Sequence, residues 1–441
     1  MQSIVRPKLF RDPIHDIISF NARDDVERVV LELIKAPTFQ RLRRVRQLGF
    51  ANLVYHGAEH SRFSHSLGVV HVARRMFEGL HRQGHFDATH DRLEVMCAAL
   101  LHDIGHGPFS HAIERVTGIH HEYYTAHLIE DTSSDINKIL TAADPSLPAR
   151  LAAYFDIGTK LPPERLVLKD IVSSQLDADR QDYILRDGLM TGVRIGVYDF
   201  ERIQTMFEVY TSEGGATRLA VSYRAREAVE DYLIARFHMF KQVYLHKAVR
   251  AAEKMLEAVF ARASELHQQG IEVVPNASDG VLALLEHKPM GVEEFISLDD
   301  TDIWVMLKQW QHHADEVLSR LAHGLLMRDL YKTVDLDHDD PVIIARTIDR
   351  AMELAKEMGY DPRYAVLTDR AQDTPYRPYN PRDGKRATGS HIPIIGRDGR
   401  AQPIEHRSDL IHLLGNDSYK VWRVCMPQDL REAMRARDWI G

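Results

Sequence analysis

The chain has 441 residues, 44% hydrophobic and 27% charged, which excludes a disordered, collagen-like or disulfide-framed protein and allows one large or two modest domains. Its 56 Lys and Arg against 64 Asp and Glu leave a net charge of −8, which argues against a globally basic nucleic-acid binder but leaves room for a local basic cleft. Two distant cysteines, Cys97 and Cys425, form no thiolate metal site and point to a reducing, cytoplasmic setting. The start MQSIVRPKLFRDP lacks the apolar stretch of a secretory signal, and no run approaches the roughly 18 apolar residues of a membrane-spanning helix.

KLFRDPIHDIISF alternates apolar and polar residues and reads as a short hairpin or edge strand. VERVVLELIKA predicts a helix, and Pro37 restarts a second one through FQRLRRVRQLG to Gly49. Ser64 to Leu80 is amphipathic, whereas Leu93 to Ile104 is apolar nearly all round and predicts a buried helix that ends in His-Asp. From Glu122 to about Tyr210 the pattern stays helical, with breaks at Asp144-Pro145, Pro162-Pro163 and Gly192. Arg224 to Gln268 reads as one long helix or two, with an exposed apolar stripe from Val229 to Phe260 that predicts subunit packing, hence a homo-oligomer, a dimer or a tetramer. Trp304 and Trp310 are expected in the core or an interface. After Leu330 the texture changes to short strands (LYKTVDL, RYAVLTD, HIPIIG, YKVWRVCM) around the surface loop TPYRPYNPRDGKRATGS, which places a boundary near Lys332. The expected fold is mainly α with a smaller α+β C-terminal region.

Histidine is concentrated: 13 of 25 lie between His56 and His127. Four segments, RFSHSLGV, LLHDIGHGPFSH, HHEYY and LDADRQDYILRD, each supply imidazole or carboxylate. His102 and Asp103 at a helix end offer two adjacent donors, and His65 and Asp179 converge on them from other helices. Two imidazoles with two carboxylates suit Mn²⁺, Fe²⁺, Mg²⁺ or Zn²⁺ rather than a soft metal. A single His-Asp pair at a helix terminus reads as a cap, but four dispersed segments weaken that reading. His102 and His106 are four apart around glycines, and Pro108 predicts a tight loop between them and the next helix.

HD with an upstream His and a downstream Asp resembles the HD-domain metal-dependent phosphohydrolases. The runs FQRLRRVRQLG, GAEHSRFSHSLGV, HDIGHGPFSH, HHEYY and LDADRQDYILRD further resemble the deoxynucleoside triphosphate triphosphohydrolases, in the branch that includes the vertebrate antiviral enzyme with sterile-alpha and HD domains. The resemblance implies an HD-domain helical core over 1–210, a helical extension over 211–331 that completes the active site and an oligomer interface, and an α+β region over 332–441. It implies His65, His102, Asp103 and Asp179 as metal ligands, and His106, His111, Glu114 and His121 as catalytic residues, His111 being the acid and Glu114 standing where relatives carry Asp. Arg62, Arg180 and Arg236 are expected to face the phosphates, Tyr183 and Asp187 the sugar, Gln47 the 3′-hydroxyl, and Leu48 and Tyr244 the 2′ side.

A regulatory nucleotide site is implied at Lys8 and Arg43, although Lys35 stands where relatives place a guanine-reading acid and cannot accept guanine N–H donors. No guanine-specific activation is therefore expected. The implied reaction is metal-dependent hydrolysis of a deoxynucleoside triphosphate to deoxynucleoside and inorganic triphosphate. The alternatives are another HD phosphohydrolase activity, a nucleotide phosphodiesterase or a single-strand nuclease, and a non-catalytic nucleotide-sensing module. Nucleic acid as a partner is not favoured.

Overall fold

Asp12 accepts the N–H groups of Ile14 and His15 through its Oδ1, at 2.9 and 3.0 Å, and so closes a tight turn near the start of the chain. The turn joins β1 (Lys8–Asp12) to an antiparallel β2 (Asp16–Phe20), the expected hairpin, with Lys8 opposite Phe20. The computed structural model describes residues 6–155, 159–336, 340–373, 391–415 and 419–440. The loop TPYRPYNPRDGKRATGS lies outside the described residues.

Helices α1 (Asp25–Lys35) and α2 (Pro37–Gln40) follow, and here the expectation of a second long helix fails. The chain tightens into a 3₁₀ turn at Arg41–Arg44 and turns extended at Val45. The cause is long-range hydrogen bonding: the buried Arg41 guanidinium donates to the carbonyls of Leu298, Ile104 and His106 at 3.0, 2.9 and 2.9 Å. These bonds satisfy buried carbonyls that helical periodicity leaves unpaired. Leu42 and Val45 still pack inward, as the pattern requires.

The central pair is α3 (Arg62–His81) and α4 (His90–Leu101), the latter buried on nearly every side. Around them lie α5 (His111–Thr117), α6 (His121–Glu130), α7 (Asp135–Ala143), α8 (Leu147–Phe155), α9 (Leu166–Val172), α10 (Ala178–Thr191) and α11 (Phe200–Gln204). The predicted breaks separate these helices, and Gly192 ends α10 in the left-handed region at φ 77°. The helical reading up to Tyr210 needs correction, because β3 (Phe207–Thr211) pairs with β4 (Thr217–Ser222) in a hairpin. FEVYT is rich in aromatic and β-branched residues and precedes a Gly-Gly turn, a strand pattern too short to show in a long helical window.

Two helices, α12 (Arg226–Met239) and α13 (Lys247–Gln268), flank a π-helical turn at Phe240–Tyr244. The stripe expected to be exposed is not: Val229, Leu233, Val243, Met255, Val259 and Phe260 are buried within this chain. Helices α14 (Asp279–Leu285), α15 (Val292–Ile296), α16 (Asp300–Trp310) and α17 (Glu316–Leu326) follow, and α17 covers α13. Trp310 is fully buried and donates to the Val273 carbonyl at 2.9 Å.

Beyond Lys332 come β5 (Lys332–Asp335), α18 (Pro341–Glu357), α19 (Pro362–Ala365) and β6 (Leu367–Asp373). After them lie β7 (Pro393–Ile395), β8 (Ala401–Pro403), α20 (Asp409–Gly415), β9 (Tyr419–Met426) and α21 (Gln428–Arg435). One sheet runs β5-β9-β6, all antiparallel. The other runs β3-β4-β7-β8, with β4 and β7 parallel, so it draws strands from both sides of Lys332. Ile394, Ile404 and Cys425 belong to the main core, and a small separate core gathers around Leu354, Val424 and Met434. The fold is mainly α. No helix among the described residues is long and apolar enough to cross a membrane.

Helices α3 and α10 meet at Gly68, where an added Cβ would lie 1.8 Å from Asp182 Oδ1 and 2.4 Å from Arg186 Nη2. We expect Gly68→Ala to destabilise the protein by about 2–3 kcal/mol through overpacking, read as a lower urea midpoint at an unchanged slope. An unchanged midpoint would show that the helices part freely there.

Candidate active site

Three elements bring the predicted metal ligands together. His65 sits on the first turn of α3, His102 and Asp103 directly follow α4, and Asp179 lies in the first turn of α10. His102 Nδ1 donates to the Ala99 carbonyl at 2.8 Å, which fixes the tautomer and leaves Nε2 with a free lone pair. That Nε2 is buried without a hydrogen-bond partner. His65 Nδ1 donates to Asp182 Oδ2 at 2.8 Å, and its Nε2 lies 3.0 Å from Asp179 Oδ1 and 3.6 Å from Asp103 Oδ2. His102 Nε2 lies 3.3 Å from Asp103 Oδ1 and 3.6 Å from Asp179 Oδ1. His65, His102 and Asp179 each offer a ligand atom within 4.8 Å of the others.

Burial opposes a charge on His65, yet Asp179, Asp182 and Asp103 outweigh it and lift the imidazole pKa to about 10. Burial likewise opposes ionisation of Asp103 and Asp179, but Arg62, His102 and His106 hold the first carboxyl, and His102 and His65 the second, well below the usual carboxylate range. The cluster thus draws positive charge inward, and two imidazole nitrogens with two carboxylates, one nitrogen orphaned, fit a divalent cation.

Next to this cluster lies a second one built on Glu114. Its Oε1 is 2.8 Å from His121 Nδ1 and 3.3 Å from His106 Nδ1, and its Oε2 is 3.2 Å from His111 Nδ1. The longer side chain therefore serves three rings at once. The rings of His106 and His121 stack at 3.7 Å between centroids. His106 Nε2 lies 3.3 Å from Asp103 Oδ1 and so links the two clusters. Burial, Arg62 and His121 push the His106 pKa down to about 3, so that ring is neutral, whereas His111 keeps its side chain 59% exposed. The loop before α5 places Phe109 and Ser110 at φ 53° and 55°. Asp300 holds it there by accepting Phe109 N–H and Arg46 N–H at 2.7 and 3.0 Å, while Ser110 Oγ donates to the Arg46 carbonyl and receives Arg62 Nε–H.

Both clusters open on a cavity of about 530 Å³ whose wall includes Gln47, Leu48, Arg62, Arg180, Tyr183, Asp187 and Tyr244. Arg62 pairs with Asp103, and Arg180 with Asp177. Tyr244 donates to Asp187 Oδ2 at 2.7 Å. Arg236 is not on this wall. It is buried behind it, donating to Gln175 Oε1 at 2.9 Å. Lys8 and Arg43 also lie off the wall: Lys8 sits 5.9 Å from the Phe10 ring centroid, and Arg43 stacks on Phe63 at 3.6 Å and donates to Gln40.

The model of the HD domain matches residues 62–183, the span that holds both clusters. Over 96% of this chain and 93% of its own length, the uncharacterized protein YwfO of Bacillus subtilis is 32% identical. A solved phosphohydrolase from Bacteroides thetaiotaomicron is 32% identical and superposes with a TM-score of 0.77, covering 96% of this chain and 100% of the other. The chain is an HD-domain phosphohydrolase. This phosphohydrolase is also 28% identical to the deoxynucleoside triphosphate triphosphohydrolase SAMHD1 of Gallus gallus, over 74% of its own length and 55% of that protein.

Several residues that build the site escaped the motif reading. Asp182 was legible, since Asp179, Asp182 and Arg186 are spaced to share one face of a helix. His60, which meets Asp187 Oδ1 at 2.8 Å, and Asp300 act across more than 100 residues and left no local signal. Arg115 and Arg250 line the cavity and are tied down, Arg115 by Glu253 and Glu257 and Arg250 by Asp369 and Glu253.

Burial raises the Glu114 pKa, but His106, His111 and His121 outweigh it and hold the carboxyl far below its ordinary 4.5. A carboxyl depressed on folding adds stability above its unfolded pKa and loses it as the pH falls. We expect wild-type stability to fall more steeply below about pH 4.5 than that of Glu114→Gln, measured as urea midpoints against pH. Parallel acid limbs would show that Glu114 is not held by its three histidines.

Proposed function

We propose that this phosphohydrolase cleaves deoxynucleoside triphosphates to a deoxynucleoside and inorganic triphosphate. The observation that carries this reading is one cavity lined by residues of the carboxylate-imidazole cluster, by Arg62 and Arg180, and by the polar groups of Gln47, Asp187 and Tyr244. His65, His102, Asp103 and Asp179 would hold the metal. Bound there, a divalent cation supplies Lewis-acid polarisation of phosphoryl oxygen and lowers the pKa of water.

The remaining work falls to side chains. Arg62 and Arg180 offset phosphate charge, and their ion pairs to Asp103 and Asp177 hold them ready in the wall. Water adds at the α-phosphorus and gives up one proton, the bond from phosphorus to O5′ breaks, and O5′ takes one proton, so the donor is restored by the proton that the water releases. His111 is the donor: its Nδ1 meets Glu114, its ring lines the cavity, and Nε2 is left to face the leaving oxygen. His121 steadies Glu114 on the far side, and His106, held neutral, stacks against it. Tyr183 and Asp187 receive the sugar, Gln47 its 3′-hydroxyl, and Leu48 and Tyr244 restrict its 2′ side. Lys8 and Arg43 serve a regulatory nucleotide, with homo-oligomeric assembly.

The test is incubation with each deoxy- and ribonucleoside triphosphate and Mn²⁺ or Mg²⁺, with chromatographic separation of products. The expected products are deoxynucleoside and inorganic triphosphate. His102→Ala and Asp103→Ala should lose bound metal, measured by elemental analysis, together with turnover. Arg62→Ala should cost about 1.5–3 kcal/mol in kcat/KM. Release of pyrophosphate or monophosphate instead would assign a different HD phosphohydrolase reaction, and no release from any nucleotide would overturn the proposal.

A further inference from the structure

Two groups on the cavity wall accept hydrogen bonds and are held by a single residue that stands behind the wall. His60 is buried and does not line the cavity. Its ring Nε2 lies 2.8 Å from Asp187 Oδ1, and because an ionised carboxylate only accepts, that nitrogen carries the proton. Its Nδ1 lone pair is then buried without a partner. Its main-chain carbonyl accepts the Gln47 N–H at 3.0 Å. Through its ring and its backbone, His60 thus fixes one residue of α10 and one of the segment that follows the 3₁₀ turn at Arg41–Arg44.

The opposite carboxylate oxygen of Asp187 receives the Tyr244 hydroxyl at 2.7 Å, so the group is clamped from two directions. Gln47 Oε1 is buried with no hydrogen-bond partner. A clamped carboxylate and an orphaned amide oxygen on one wall both call for a ligand that donates, which a hydroxyl does and a C–H does not. Resting on the reading of this cavity as a deoxynucleoside triphosphate site, we propose that His60 is a positioning residue that sets discrimination for the sugar 3′-hydroxyl. Without the His60 N–H, the Asp187 carboxylate turns toward whatever donor remains, and the hydroxyl loses its aligned acceptor.

The experiment compares kcat/KM for the deoxynucleoside triphosphate that the wild type cleaves best with that for its 2′,3′-dideoxy analogue, in wild type, His60→Leu and His60→Gln. The wild type should prefer the hydroxyl-bearing substrate. His60→Leu should lower that preference by about tenfold, chiefly through a higher KM for the hydroxyl-bearing substrate, and leave the dideoxy rate within about twofold. The Gln Nε2 reaches the place of the ring N–H, so His60→Gln should restore most of the preference. If the Leu variant does not fold, His60→Asn, whose shorter amide cannot reach Asp187, takes its place and should lower the preference in the same way. Equal losses on both substrates, or a ratio unmoved from wild type in the folded Leu or Asn variant, would overturn the role of His60 while leaving triphosphate release intact. Wild type that cleaves neither substrate would overturn the triphosphohydrolase reading and this inference with it.

Discussion

The buried carboxylate of Asp182 receives hydrogen bonds from three parts of the chain at once. His15 of the N-terminal hairpin turn approaches at 2.7 Å, His65 of α3 at 2.8 Å, and Arg186 of α10 at 2.8 and 2.9 Å. Arg186 reaches on to Asp12 at 2.8 Å, whose other oxygen caps the turn that carries His15, so the circuit closes on itself. A charge this deep persists only when every lone pair is used, and breaking one member leaves the rest uncompensated. The circuit also holds the His65 proton on Nδ1 and so aims Nε2 at Asp103 and Asp179. The geometry of the candidate metal cluster is therefore a property of the hairpin and of two helices, not of His65, His102, Asp103 and Asp179 alone.

The same logic governs the histidine cluster. Arg41 donates to the Ile104 and His106 carbonyls, Asp300 accepts from Phe109, and the Phe109 ring stacks on Phe50 at 4.3 Å. A loop with two consecutive residues at positive φ is costly to form and holds only where surrounding contacts over-determine it. Those contacts come from before and after the HD segment, so a site that looks local in sequence is built by distant residues.

That division explains what was legible. The helices, their breaks at Asp144-Pro145, Pro162-Pro163 and Gly192, and the gathering of His65, His102, Asp103 and Asp179 rest on periodicity and on residue chemistry within short windows. The second helix failed because a buried guanidinium outweighed its periodicity, and Phe207–Thr211 was misread because strand alternation was brief beside long helical runs. The stripe from Val229 to Phe260 was rightly read as apolar and wrongly taken as exposed, since the helix that covers it, α17, begins more than 50 residues later. Arg236 on α12 is held by Gln175 from the segment before α10, and no spacing rule could reveal that pairing.

The wall of the cavity is finished by residues late in the chain. Asp369 on β6 clamps Arg250, and Arg423 on β9 donates to the carbonyl of Leu245 at 2.7 Å. β7, later still than β6, closes onto β4 from the middle of the chain. A polypeptide emerging from the ribosome therefore presents both histidine clusters long before it presents the clamp on Arg250. The cleft is therefore fully walled only once these strands are in place. In order of synthesis the two histidine clusters come first and the residues that finish the cleft come last.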